Sequence, residues 1–318
     1  MIIPWLDWAS LAIRWLHLAA GIAWIGTSFY FIWLDRSLRA RENLPKGVQG
    51  ESWSVHGGGF YHVQKYAVAP EALPDDLHWF KYEAYFTWLS GFALLIVLYY
   101  FGASTYLIDS TRADLTPTTA IGISMTFLIG SWGLYEALCR SPIGRSTTVL
   151  ASSVLVLILV SAFLLTQVFS DRAAFLHVGA LIGTIMSANV FVVIIPNQKK
   201  VVADLLDKKL PDPNLGAQAR QRSLHNNYLT LPVLLLMVSA HYPLLFSGGT
   251  AWGWLVVGFI IIIGAIVRHF FNTHHTGGHG VQLIWQWPLA IILGLGLIFF
   301  IASRNQLHFD GQVSDNQA

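Results

Sequence analysis

The chain has one cysteine, Cys139, in 318 residues. That excludes an internal disulfide, a cysteine-built zinc or iron–sulfur centre, and a covalent c-type haem, which needs C-x-x-C-H. Charge is also scarce. Only 11% of residues are Asp, Glu, Lys or Arg, against about 25% in a typical soluble domain. No basic stripe marks a nucleic-acid partner, and a formal net charge of +2 says little about other partners. The first apolar run continues past the roughly 7–15 residues of a signal-peptide core and lacks a cleavage-like end. What is abundant is apolar side chain: 54% of the chain, with 13 Trp and 19 Phe. These numbers describe an all-α integral membrane protein.

A membrane span takes about 20 apolar residues. Eight windows satisfy this, at roughly 15–34, 84–108, 119–138, 148–169, 174–196, 228–246, 251–271 and 282–302. Two long polar segments, 35–80 and 197–227, separate some of them. "HGGGF" and "HHTGGHG" are glycine-rich, and "LPDPNLG" reads as an irregular loop. Pro232 and Pro288 fall near the expected starts of spans, where proline is tolerated. Lys and Arg divide 15 to 4 between the two sides. By the positive-inside rule both termini face the periplasm of a bacterial inner membrane, and the long loops face the cytoplasm. Residues 1–302 form the membrane domain and 303–318 a short periplasmic tail.

The two halves resemble each other. "LHLAAGIAWIGTSFYFIWL" (16–34) aligns without gaps to "LHVGALIGTIMSANVFVVI" (176–194), pairing His17 with His177. "EAYFTWL" and "NNYLTLP" echo this more faintly. Four helices separate the copies, so the expectation is two parallel four-helix repeats, about 8–169 and 170–302, as in some transporters.

Ionisable residues inside a span are costly and usually functional. On this topology His17, His177 and His241 all lie in the outer third. Imidazoles at one depth, without thiolates, suggest a haem b held by two of them. His17 and His177 are the expected axial pair, with His241 in reserve. Arg14 and Arg172 precede the paired histidines and are placed to bind propionates. A histidine that only hydrogen-bonds a neighbouring helix is the competing reading.

A second polar set lies toward the other side. It comprises Thr27, Ser28, Glu83, Glu136, Asn189, Arg268, His269 and Trp285, with Asn226, Asn227 and Gln282 among helix-end polar groups. It reads as one cavity with aromatic walls, suited to a flat, heteroatom-rich ring. Glu83, Glu136 and His269 are candidate proton acceptors. Thr27, Ser28, Asn189, Arg268 and Trp285 are candidate substrate contacts.

"RWLHLAAGIAWIGTSFYFIWLD", "HWFKYEAYFTWLSGFALL" and "RHFFNTHHTGGHG" resemble the membrane domain of the bacterial cytochrome-linked urate oxidases, or urate hydroxylases. The likeness runs over essentially the whole chain. It implies oxidation of urate to 5-hydroxyisourate, with electrons passing through haem b to a cytochrome c. That family usually carries a C-terminal cytochrome c domain. This sequence has no C-x-x-C-H, so the expected acceptor is a separate protein. The first helix also resembles, more weakly, copper-resistance membrane proteins and a membrane-bound protoporphyrinogen oxidase. Rival expectations are a transporter of purines or metal ions, and a haem-binding enzyme of porphyrin or copper metabolism. A copper site among His56, His62, His274, His275 and His279 also stays open.

Overall fold

A computed structural model of the chain describes residues 4–67, 70, 73–246, 250–274 and 284–315, with the side chains of 274 and 305–315 outside the description. The chain is helical almost throughout. α1 is Trp5–Ser37, and a hairpin of β1 (Val48–His56) and β2 (Gly59–Tyr66) follows it. α2 (Tyr82–Leu95) continues through π-helical turns at Ile96–Tyr100 and Ala103–Leu107. Then come α3 (Pro117–Arg140), α4 (Thr147–Val168) and α5 (Asp171–Ala188). A π-helical turn at Asn189–Ile194 joins α5 to α6 (Ile195–Leu206). The rest is α7 (Pro213–Val238), α8 (Gly253–His274) and α9 (Gln286–Asp315).

The helix starts are written locally. Thr116, Ser146, Ser170 and Asp212 each cap a following helix through a side-chain oxygen, which satisfies a backbone N–H that has no intrahelical acceptor. Pro117 and Pro213 occupy first-turn positions, where the missing N–H costs nothing.

α5 is the axis of the bundle. In its apolar stretch 67% of residues are buried, against 0% for α1. α3, α4, α7 and α2 pack around it. Helix contacts close through small residues, as they do where lipid leaves little hydrophobic drive between helices. Gly179 of α5 lies under Leu236 of α7, and Gly264 of α8 lies under the Pro232 ring. α1 leans on α2, with Gly21 against Thr87 and Gly91 against the His17 ring.

Among the described residues seven helices, not eight, are long and apolar enough to cross a membrane. The difference is α7. It starts at Pro213 rather than near 228, so its first half is polar and Pro232 lies inside the helix, not at its start. Pro213, read from sequence as part of a loop, opens the helix. The polar segment 35–80 also holds a structure not expected from it. The β1–β2 hairpin turns at Gly57 and Gly58, both at positive φ (58° and 81°), a backbone that glycine adopts without strain. It is tied to α1 by Ser37–Ser52 (2.9 Å) and Lys65–Asp35 (2.7 Å) bonds.

Candidate functional site

Polar side chains collect at the hairpin end of the bundle. α7 divides them into two clusters, which meet only at the consecutive residues Asn226 and Asn227.

The first cluster lies between α3, α5 and α7. The π-helical turn that begins at Asn189 brings its wholly buried amide to Tyr135 OH and Asn226 Oδ1, donating to both at 3.0 Å. Tyr135 OH meets His225 Nδ1 at 2.6 Å. Beside them Glu136 accepts from Arg222 Nη2 at 2.8 Å and from Arg140 Nε at 2.6 Å. Two buried atoms keep no partner: Asn189 Oδ1 and Arg222 Nε.

The second cluster lies between α7, α8 and α1. Asn227 and Asn272 form a reciprocal amide pair at 3.3 Å. Arg268 donates from Nε to Asn227 Oδ1 and lies over the Phe29 ring at 4.0 Å. It is only 5% exposed. Among the described residues it has no carboxylate partner, and its two terminal nitrogens make no hydrogen bond. A buried cation is expensive unless its donors are satisfied, and the free terminal donors of this guanidinium suit an anion. Next to it, His269 Nδ1 is bonded to Tyr228 OH at 2.8 Å, and the His269 ring lies 6.0 Å from that of Trp285.

The expected single cavity is therefore two clusters. Asn189 and Glu136 fall in the first, Arg268, His269 and Trp285 in the second. Thr27 turns its hydroxyl back onto Ala23 and Trp24 of its own helix. Ser28 makes no described hydrogen bond, though its neighbour Phe29 carries Arg268. The carboxylate of Glu83 joins neither cluster; only its carbonyl is engaged, by the Thr87 hydroxyl. Sequence reasoning missed Tyr135, Arg222, His225 and Asn272. The available signal was spacing: Arg222, His225 and Asn226 share a helix face, as do Arg268 and Asn272.

The paired histidines sit in unlike surroundings. His17 is half-buried, its Nδ1 2.9 Å from the Thr87 carbonyl and 3.2 Å from Ser90 Oγ. His177 is wholly buried, and both of its ring nitrogens are engaged: Nδ1 with Ala173 O at 2.7 Å and Nε2 with Ser124 Oγ at 2.7 Å. The contacts Trp88–Thr184 and Ala84–Ser187 set His177 across from about residue 94 of α2. His17 lies across from Thr87–Gly91. At 1.5 Å per residue the two differ in depth by roughly 7 Å. The residues present thus do not fit a haem b clasped between His17 and His177. His241 is exposed beyond the end of α7, in a short turn that packs against α5. Arg14 and Arg172 are exposed, and both lie close enough to the Tyr99 phenol to act on it electrostatically.

Of the loop histidines, His62 is bonded to Glu51 at 2.7 Å, and His56 is exposed by the hairpin turn. The His274 side chain, His275 and His279 lie outside the described residues, as does Gln282. Among the described residues no group of three or more His, Cys, Asp or Glu is placed to hold a metal ion.

A family model described as urate oxidase N-terminal matches residues 4–302. Searches of curated proteins and of solved structures each return no match.

Proposed function

The chain belongs to the urate oxidase N-terminal family, and from that premise we propose that it oxidises urate to 5-hydroxyisourate at the Arg268 cluster. The observation that carries this is the buried guanidinium, whose two terminal nitrogens have no hydrogen bond and no counter-ion among the described residues. Urate is anionic at neutral pH, and its oxygen and nitrogen edge suits a planar two-point donor. Phe29 covers the other face of the guanidinium and fixes its plane.

In this reading urate and water give 5-hydroxyisourate, two electrons and two protons. Arg268 orients the anion. His269 is the proton acceptor, with Nδ1–H donating to Tyr228 and Nε2 left free. Glu136 is set aside as the base because both of its oxygens are held by arginines, and Glu83 because it stands apart. Trp285 walls the site beside His269. The electrons need an acceptor; the family resemblance implies haem b and a cytochrome c. In the proposed orientation the hairpin end faces the cytoplasm of a bacterial inner membrane.

The test is anaerobic incubation of the detergent-purified protein with urate and a one-electron dye, following urate loss, dye reduction and the visible spectrum together. Urate consumed with two dye equivalents supports the reading, and a haem band reduced by urate would identify the first acceptor. Arg268→Gln should lower kcat/KM by about 10- to 100-fold, the worth of roughly 1.5–3 kcal/mol for hydrogen bonds to a charged group. Urate left intact, but moved across proteoliposomes, would replace oxidation by transport.

A further inference from the structure

We propose that the cavity between the start of α4 and the start of α7 is a phosphate-binding site, separate from the Arg268 cluster. The cavity measures about 550 Å³, within the roughly 300–1,000 Å³ of small-ligand pockets. Its chemistry is one-sided. Arg145 and Arg220 line it, with Gln221 and His225, and among the described residues no Asp or Glu does. Neither arginine has a hydrogen-bond or ion-pair partner among the described residues.

The backbone adds to this field. Thr147 brings the first turn of α4 to the wall, and Gly216 brings the first turn of α7. Helix N-termini carry free N–H groups and the positive end of the helix dipole. Asp212 caps α7 but does not line the cavity. Two unpaired guanidinium groups around an open concavity match a ligand with several anionic oxygens, which is the pattern of a phosphate group.

The inner wall is held in place. Gln221 donates to Gly144 O at 2.9 Å and accepts from Arg222, and His225 Nδ1 is held by Tyr135. The His225 Nε2 atom has no described partner, and it is a further donor in the tautomer in which Tyr135 OH donates to Nδ1. The cavity lies at the hairpin end of the apolar helix α4 and beside the polar half of α7, so a free phosphate compound and an anionic lipid headgroup present the same chemistry there.

The experiment is thermal unfolding of the full chain, wild type and the Arg145→Gln/Arg220→Gln double variant. Inorganic pyrophosphate is titrated against potassium chloride of matched ionic strength. Nanodiscs of phosphatidylcholine are compared with nanodiscs containing phosphatidylglycerol. A saturable rise in melting temperature with pyrophosphate, lost in the double variant, supports a free phosphate ligand. A rise only with phosphatidylglycerol, lost in the double variant, supports a lipid headgroup. No rise with either probe, or a rise that the double variant keeps in full, overturns the proposal. Both side chains are exposed, so the variant should fold, and its unliganded melting temperature checks that directly.

Discussion

Two charged residues in the same polar layer have opposite surroundings, and this decides what each can do. Arg268 is buried with no counter-ion among the described residues, whereas Glu136 is held by the buried Arg222 and the exposed Arg140. Removing the charge of a carboxylate held in this way would strand Arg222, which is 2% exposed. Glu136→Gln is therefore expected to act on stability rather than on proton transfer. Removing one partner of a buried pair costs about 3–5 kcal/mol. A melting temperature that falls sharply, with kcat of the folded fraction nearly kept, is the expected result. Unchanged stability with lost kcat would make Glu136 a base after all. Arg268 was legible in the sequence because a cation in an apolar run has few structural uses. The Tyr135–His225 contact was not, since it joins α3 to α7 across the bundle and no local pattern records such a pairing.

At the scale of elements, a proline inside α7 is compensated by a glycine in α8. Pro232 cannot donate to the helix ladder, and its ring fills the space beside Gly264. A Cβ at 264 would lie 2.7 Å from Pro232 Cδ, and that ring has no other rotamer to move to. Gly264→Ala should cost roughly 1–3 kcal/mol by overpacking, read as a lower melting temperature. Gly122→Ala, inside α3 with nothing within 4 Å, is the control and should leave stability unchanged or raise it by up to about 1 kcal/mol, the helix-propensity gain. Apolar runs made most of the spans legible, but they failed at α7 because a polar half and an apolar half share one helix. The hairpin was missed for a different reason. "HGGGF" reads as a loose loop until the alternation on either side pairs Trp53 with His62 and Val55 with Phe60. That hairpin carries a pH dependence. The His62 hydrogen bond, with Arg41 nearby, holds the Glu51 carboxyl below its ordinary value. A depressed value means that the stabilisation is complete above the ordinary carboxylate range and is lost as pH falls through the depressed value. The protection factors of amides in residues 48–66, corrected for the intrinsic slowing of exchange in acid, should fall on acidification through that range, and Glu51→Gln should flatten the response.

For the molecule as a whole, surface chemistry sets its direction in a bilayer. α1 and α9 present long apolar faces outward: Trp15 is 77% exposed and Phe299 is 76% exposed. Patches of that size need a cover, and lipid is the cover proposed for helices of this length. The basic residues then choose the side. Lys46, Lys65, Arg140, Arg145 and Arg220 gather at the hairpin end, whereas few lie at the other. By the positive-inside rule the expected orientation has the hairpin end in the cytoplasm, and in the proposed function the Arg268 cluster would then draw urate from the cytoplasmic pool. Cysteine labelling checks this, because a Cys139→Ser background removes the only thiol. In intact cells stripped of their outer membrane, a membrane-impermeant maleimide should label Thr111→Cys at once. It should label Lys46→Cys only after permeabilisation. The reverse pattern would turn the molecule over, and the Arg268 cluster would then take its anion from the periplasm.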